Sequence, residues 1–297
     1  MAVISVNATE TGWSSTDALM QGLARLGPGA SVIIMIHGFR YSPWDAANDP
    51  HSHILSPVRS ASRWKSTSWP KHLRLDRAGA GLGIGLGWHA RGRLSDVAAR
   101  AFGLGRTLED LVREVKSARP DLSVHLFGHS LGARVALSAL SGLAAGDVAR
   151  VVLLSGAEYA VTARAAMATP AGRAARVLNV TSRQNAVFDL AFRLCAPPAS
   201  RGDATLSGRL DGVAGWTDLQ IDCPSSRAAL CGLGFHVRPA RGVICHWSTY
   251  LQPGLFRLYR AVCDQATPDI LDRLDTALAR DMPKTGPNPA QLQLSPL

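Results

Sequence analysis

Residues 124–133 read Val-His-Leu-Phe-Gly-His-Ser-Leu-Gly-Ala, and this stretch decides the fold. Its first part, Val124–Phe127, is a short apolar run typical of a strand buried on both faces of a sheet. The residues after Ser130 carry apolar side chains at helical spacing. Between the two parts lies the pattern Gly-x-Ser-x-Gly, with Ser130 at its centre. We therefore expect a strand, a sharp turn at Ser130 and then a helix.

The turn at Ser130 has a geometry that suits a nucleophile. A very tight strand-to-helix turn strains the serine backbone and projects the hydroxyl above the sheet. Gly128 and Gly132 flank the serine because a Cβ atom at either position would collide with a neighbouring strand or helix. The helix that follows points free N–H groups and a partial positive charge at the turn, and both favour a developing oxyanion.

Other apolar runs alternate with helical segments along the chain. Further buried strands are predicted at Ser31–Ile36, Leu82–Trp88, Val151–Leu154 and Arg176–Val180. A helical stripe is formed by Leu104, Leu108, Leu111, Val112 and Val115, with Pro120 beyond its end. Such alternation predicts an α/β fold with a mostly parallel, doubly wound sheet and helices on both faces.

Two long stretches lack this periodicity. Residues 41–75 and about 197–242 are predicted to be irregular and to overhang the site, since long loops in compact domains are usually functional. The chain has 297 residues, of which 46% are hydrophobic and 18% charged, so it can bury a sizeable core. We expect a single domain over residues 1–281. Residues 282–297 are rich in Pro, Gln and Asn and are predicted to form a disordered tail.

Charge and hydropathy exclude several classes of function. The net charge is +10, but the basic residues are scattered and form no block of five or more, so no nucleic-acid partner is expected. No apolar run reaches the ~18–20 residues of a membrane span. The N-terminal residues lack the pattern of a signal peptide. We expect a cytoplasmic protein.

No cofactor or metal is expected. The five cysteines are odd in number and form no C-x-x-C pattern, which argues against a disulfide framework and against a zinc site. His51 and His53 lie two residues apart without a further ligand cluster. Gly85, Gly87 and Ala90 fit a dinucleotide pattern, but these glycines lie inside an apolar run rather than after it, which favours close packing of a strand.

Two motifs carry a resemblance to a known family. The segment Phe127–Ala133 and the pair His37-Gly38 resemble the α/β-hydrolase superfamily in its serine esterase and lipase-like form, in which a His commonly precedes the serine. Trp88–Gly92 is a third, weaker match, and the resemblance extends from about Val32 to Tyr259. It implies an α/β-hydrolase fold and a serine hydrolase that cleaves carboxylic esters through an acyl-enzyme on Ser130.

The resemblance also implies the remaining site residues. The oxyanion hole would use the backbone N–H groups of Phe39 and Leu131, while His37 braces the turn. In this family the triad follows the order serine, acid, histidine. Two histidines remain downstream of the last predicted strand, His236 and His246. We favour His246 as the base because it lies in the apolar run Val243–Trp247, which matches the expected last strand and the loop after it.

The acid departs from the family pattern. It should lie near Asn185 or Ala186, and neither is a carboxylate. Asp189 is the only carboxylate between Glu158 and Asp203 and is therefore assigned as the catalytic acid. Glu158 is the alternative. Without either, Asn185 could orient a neutral imidazole but would stabilise the imidazolium poorly.

The expected partner is a small-molecule ester or a lipid. Acyltransferase or thioesterase activity on the same triad is the alternative within enzymes. The rival from another class is a non-catalytic binding protein with this fold, which the missing acid near Asn185 would favour. Acyl specificity, alcohol specificity and oligomeric state stay open at this point.

Overall fold

An eight-stranded sheet forms the centre of the computed structural model, which describes residues 3–9, 12–58, 67–77, 79, 81–239 and 242–280. Its strands are β1 (Val3–Thr9), β2 (Gly12–Trp13), β3 (Ser31–Ile36), β4 (Leu82–Gly87), β5 (Ser123–His129), β6 (Arg150–Leu154), β7 (Arg176–Thr181) and β8 (Trp216–Gln220). Their order across the sheet is β2-β1-β4-β3-β5-β6-β7-β8. All neighbours pair in parallel except β2, which runs antiparallel to β1.

Helices connect the strands. They are α1 (Thr16–Ala24), α2 (Trp69–His72), α3 (Leu94–Gly103), α4 (Gly105–Ala118), α5 (Leu131–Ala139), α6 (Ala160–Met167), α7 (Pro170–Ala174), α8 (Ala186–Cys195), α9 (Pro224–Gly232), α10 (Ser248–Leu251), α11 (Leu255–Val262) and α12 (Ile270–Arg280). Short 3₁₀ turns lie at Pro50–Ser52 and Arg183–Asn185. No helix in the described part of the chain is both long and apolar enough to cross a membrane.

The core has two layers, one on each face of the sheet. Successive side chains of a strand point to opposite faces, and β3 illustrates the result. Ile34 is fully buried in the cluster that includes α3, α4 and α5. Ile33 and Met35 are buried in the second cluster, which includes α11 and α12. The predicted doubly wound α/β fold, with helices on both faces, is therefore confirmed.

The predicted strands and the helix carrying the stripe from Leu104 to Val115 are all present. The prediction of one irregular stretch at 197–242 is wrong, because it contains β8 and α9. The carboxylate of Asp218 interrupts the apolar pattern expected of a buried strand, so the sequence did not indicate β8. In the fold this carboxylate accepts hydrogen bonds from the side chains of Asn179 and Trp216 and from the backbone of Leu210. Pro224 opens α9, and proline at the first helical position is common.

A second prediction also fails. The apolar run at 243–247 is not a strand, and Val243 and Ile244 are 85% and 61% exposed. The last strand of the sheet is β8, so His246 reaches the site on a loop instead.

The stretch 41–75 contains α2 and a 3₁₀ turn, with residues 59–66 outside the described part. The predicted tail at 282–297 also lies outside it.

The turn between β5 and α5 depends on two glycines. A Cβ atom on Gly128 would lie 2.6 Å from the carbonyl oxygen of Gly132, and one on Gly132 would overlap the carbonyl oxygen of Ile36 in β3. Both obstacles are backbone atoms, which cannot rotate away as a side-chain tip can. Glycine at these positions therefore lets α5 begin directly against β3 and β5, as expected from the sequence.

We predict that Gly132→Ala destabilises the fold by about 1–3 kcal/mol, since overpacking a close contact costs that much. The measurement is urea unfolding followed by circular dichroism. Gly103→Ala in α3 is the matched control, because a Cβ atom there meets nothing within 4 Å. Equal stability of Gly132→Ala and the control would contradict the close approach described here.

Candidate active site

Ser130 lies at the turn in a strained backbone conformation. Its φ is 55° and its ψ is −121°, a combination that non-glycine residues seldom adopt. Hydrogen bonds hold the residue on both sides: its N–H donates to the carbonyl of Leu154, and its carbonyl accepts from the N–H groups of Ala133 and Ala157. The strain is therefore sustained by β6, by the loop after it and by α5.

The loop after β3 lies directly against this turn. A Cβ atom on Gly38 would come within 2.8 Å of both the carbonyl oxygen of His129 and the Cβ atom of Ser130. The next residue, Phe39, lines the same cavity as Ser130 and Leu131. In the described part of the chain, neither the Phe39 nor the Leu131 N–H donates to a protein acceptor. Both N–H groups thus have no acceptor within the described residues, and both belong to residues that line the same cavity as Ser130.

His37 supports the loop that carries Phe39. Its Nε2 accepts a hydrogen bond of 3.0 Å from the backbone N–H of Trp88, so its Nδ1 is protonated and donates to the carbonyl of Gly38 at 2.9 Å. The rings of His37 and Trp88 stack, and the indole N–H donates to the His37 carbonyl. Burial lowers the pKa of His37 to about 3. These contacts support the interpretation that His37 braces the turn.

His246 is held by Asn185. Its Nδ1 lies 2.6 Å from Asn185 Oδ1, and Asn185 Nδ2 donates to Asp189 Oδ1 at 2.9 Å. A carboxylate only accepts hydrogen bonds, so the amide of Asn185 must turn its NH₂ toward Asp189 and its oxygen toward His246. Nδ1 must then carry the imidazole proton. The free lone pair of His246 is therefore on Nε2.

Asp189, which the sequence analysis assigns as the catalytic acid, does not contact His246 directly. Asp189 lies one turn into α8, and Asn185, at the end of the preceding 3₁₀ turn, comes between the two side chains. The alternative acid, Glu158, does not line the cavity. It is fully buried and accepts hydrogen bonds from Arg134 at 2.8 Å and from the Tyr159 N–H.

His236, the other candidate base, also lies elsewhere. Its Nδ1 is 3.4 Å from the sulfur of Cys231, and it does not line the cavity that contains Ser130. His246 and Ser130 both line that cavity. The structure thus brings together Ser130, His246 and Asn185, with Asp189 behind Asn185.

Aromatic rings enclose His246. Phe188 stacks on its imidazole with 4.5 Å between ring centroids, and the ring of His129 lies 4.6 Å away on a tilted plane. The Nε2 of His129 donates to the backbone carbonyl of His246 at 3.1 Å, which fixes the loop. Burial, and then the neighbouring His129, hold the pKa of His246 well below its usual value. His246 is therefore neutral at pH 7.

Asp189 has an unusual environment for a carboxyl group. Burial raises its pKa to about 6, although hydrogen bonds from Ser207 and Asn185 act in the opposite direction. At pH 7 and above the group is mostly ionised, so a negative charge lies behind the Asn185 amide. Burial likewise raises the pKa of the Glu158 carboxyl, and there the Arg134 guanidinium opposes that change.

The cavity has a volume of about 310 Å³. Its walls are largely apolar and include Phe39, Leu131, Phe188, Phe192, Trp247 and Tyr250.

Within the described residues, no three His, Cys, Asp or Glu side chains come together as a metal site would require. His51 and His53 instead contact Asn7 and the carbonyl of Ala47.

Sequence reasoning did not assign roles to His129 and Phe188. The resemblance marked His129 only as the residue that commonly precedes the serine, and nothing in the sequence pointed to Phe188. Asn185 was considered only as a fallback. The signal that could have singled it out was its position, because Asn185 lies where the family places its acid.

We predict that the pKa of His246 rises by about one unit or more when the two partners are exchanged in the double variant Asn185→Asp with Asp189→Asn. A carboxylate then lies next to Nδ1 and favours the imidazolium. The measurement is an NMR titration of the imidazole signals. Glu158→Gln, which lies outside the cavity, is the control and should leave that pKa unchanged. A pKa that stays the same or falls after the exchange would contradict the assigned contact.

A family model agrees with this architecture. A model described as "Alpha/beta hydrolase family" matches residues 33–288. Among solved structures, the phospholipase PlaB from Legionella pneumophila in complex with thio-NAD has 10% identity and a TM-score of 0.44, covering 84% of this chain. This chain spans 63% of the length of PlaB.

A second solved structure, an acetylxylan esterase, has 11% identity and a TM-score of 0.34. That match covers 84% of this chain and 99% of the esterase. No curated protein matches the chain.

Proposed function

Because the chain belongs to the α/β-hydrolase family, we propose that it is a serine hydrolase that cleaves carboxylic esters through an acyl-enzyme on Ser130. One observation carries this proposal. Ser130 occupies a strained turn in the same cavity as His246, whose Nδ1 is tied to Asn185 so that its Nε2 is free to act as a base. A serine hydroxyl needs such a base at neutral pH.

In the proposed first step, Ser130 Oγ attacks the ester carbonyl and forms a bond to its carbon. His246 Nε2 takes the hydroxyl proton and then gives it to the departing alcohol oxygen. The carbonyl oxygen becomes an oxyanion, which the N–H groups of Phe39 and Leu131 stabilise. One such donor contributes about 10²–10³ in rate in enzymes of this chemistry.

In the second step, water hydrolyses the acyl-enzyme. His246 removes a proton from water, the hydroxide oxygen bonds to the acyl carbon, and the proton returns to Ser130 as the acid leaves. The low pKa of His246 keeps the imidazole neutral below pH 7. Base catalysis should therefore persist to lower pH than an unperturbed histidine would allow.

Asn185 and Asp189 divide the work that one acid performs in the family pattern. Asn185 accepts from Nδ1 and fixes the tautomer, and Asp189 fixes the orientation of the Asn185 amide. When His246 becomes an imidazolium, the amide dipole of Asn185 is in direct contact with it. The charge of Asp189 lies behind that amide, as the next member of the hydrogen-bond chain. Stabilisation of that cation is weaker than a carboxylate in direct contact would give.

The cavity supports a small ester as the substrate. Its volume of about 310 Å³ lies at the lower end of the range for ligand pockets, about 300–1,000 Å³. Apolar walls around Ser130 suit the acyl chain of a carboxylic ester better than a charged group. We therefore propose an ester with a short or compact acyl group.

The direct test is covalent labelling. Incubation with a fluorophosphonate should add one phosphonyl group to the wild-type protein, because an activated serine displaces the fluoride. Intact mass spectrometry measures the adduct. In Ser130→Ala the adduct should be absent. Ser155→Ala should still be labelled, because Ser155 is a buried serine of the same cavity whose hydroxyl lies 3.1 Å from the Thr249 hydroxyl rather than beside a base. Absence of labelling in the wild type would favour the non-catalytic binding protein.

A second prediction concerns the acid. With a small p-nitrophenyl ester as substrate, Asp189→Asn should lower kcat by about 10–150-fold. This range corresponds to the loss of a hydrogen bond to a charged group, about 1.5–3 kcal/mol. Glu158→Gln is the comparison and should leave KM unchanged. Any loss of activity in this variant should follow from a lower stability of its fold, which a thermal unfolding measurement checks. A large loss in Glu158→Gln together with full activity in Asp189→Asn would reverse the assignment.

A further inference from the structure

A second cavity lies beside the candidate active site, on the face of the sheet covered by α11. Its volume is about 450 Å³. Cationic side chains from two separate elements converge on it: Lys71, Arg74, Arg77, Arg257 and Arg260. Asp76 is the one carboxylate among its described lining residues. The cavity is therefore strongly positive.

Among the described residues, these cations lack partners of opposite charge. No described carboxylate lies within ion-pair distance of any of the five. Elsewhere in the described chain, arginines near carboxylates form ion pairs, as in Arg91–Asp45 at 2.9 Å and Arg119–Asp121 at 2.8 Å. The described part of the chain thus leaves the positive charge of this cavity uncompensated.

Arg260 shows that the cations of this cavity repel one another. Its guanidinium is anchored by a 2.7 Å hydrogen bond to the backbone carbonyl of His72. Burial, and then repulsion from Arg74, Arg257 and Arg77, lower the pKa of Arg260. Like charges held together in this way are stabilised by an anion that binds between them.

From this convergence of unpaired cations on one cavity, we propose that it binds a small ligand that carries a phosphate or pyrophosphate group. Guanidinium groups bind phosphate oxygens in a bidentate manner, and several of them around one cavity suit a multiply charged anion. Leu251, Pro253 and Phe256 form an apolar wall, which fits a ligand with an organic part beside its phosphate.

The proposed site is distinct from the candidate active site but adjacent to it. Tyr250 lines both cavities and is only 2% exposed, so its side chain forms part of the wall between them. Ser130 and His246 do not line the basic cavity. Binding of the phosphate is therefore expected to be independent of the proposed ester chemistry, and Ser130→Ala should bind as the wild type does.

The test is isothermal titration calorimetry of the full chain with inorganic pyrophosphate at low ionic strength. We expect saturable binding that weakens as NaCl is added, because salt screens exposed charges. The double variant Arg77→Gln with Arg257→Gln should bind at least about tenfold more weakly, since it loses charge-assisted hydrogen bonds. Both side chains are exposed, so the variant should fold, which circular dichroism checks.

Arg106→Gln is the matched control, because this exposed arginine of α4 does not line the cavity. A parallel arm measures co-sedimentation with vesicles that contain phosphatidic acid and with neutral phosphatidylcholine vesicles. Arginine-dependent binding only to phosphatidic acid would identify a lipid headgroup as the source of the phosphate. The proposal is overturned if neither pyrophosphate nor phosphatidic acid binds, or if Arg106→Gln weakens binding as much as the double variant.

Discussion

The strained backbone at Ser130 is the constraint on which the other features of the site depend. A φ of 55° with a ψ of −121° is stable only because β6, the loop after it and α5 fix the residue through three backbone hydrogen bonds. Gly132 lets α5 begin against β3, and Gly38 lets the next loop lie against Ser130. The same close packing that holds the strain also brings Phe39 and Leu131 to the cavity that Ser130 lines.

Around this rigid point, the histidine is controlled by a chain of hydrogen bonds rather than by one carboxylate. Asp189 orients the Asn185 amide, and the amide fixes the proton on Nδ1 of His246. Because an amide rather than a carboxylate contacts Nδ1 of His246, the imidazolium loses part of its electrostatic stabilisation. In return, the imidazole stays neutral, and enclosure by Phe188 and His129 reinforces that state.

Much of the fold was predictable because its signals are local. The buried strands read as apolar runs, and Gly-x-Ser-x-Gly located the turn at Ser130. The failures were of two kinds. The polar side chain of Asp218 hid β8, because this half-buried carboxylate has hydrogen-bond partners that only the fold brings together. The exposed run at 243–247 looked like a strand because sequence alone does not reveal which apolar residues stay at the surface. The relay from Asp189 through Asn185 depends on the path of the 3₁₀ turn before α8, which no periodicity encodes.

We propose that Ser130 and the backbone N–H groups of Phe39 and Leu131 act as one catalytic unit. A crystal structure of the protein after reaction with a phosphonate ester tests this most directly. We expect a bond from phosphorus to Ser130 Oγ, with the phosphoryl oxygen about 2.7–3.1 Å from the backbone nitrogens of Phe39 and Leu131. A phosphoryl oxygen that points away from both nitrogens, or an adduct on another residue, would contradict it.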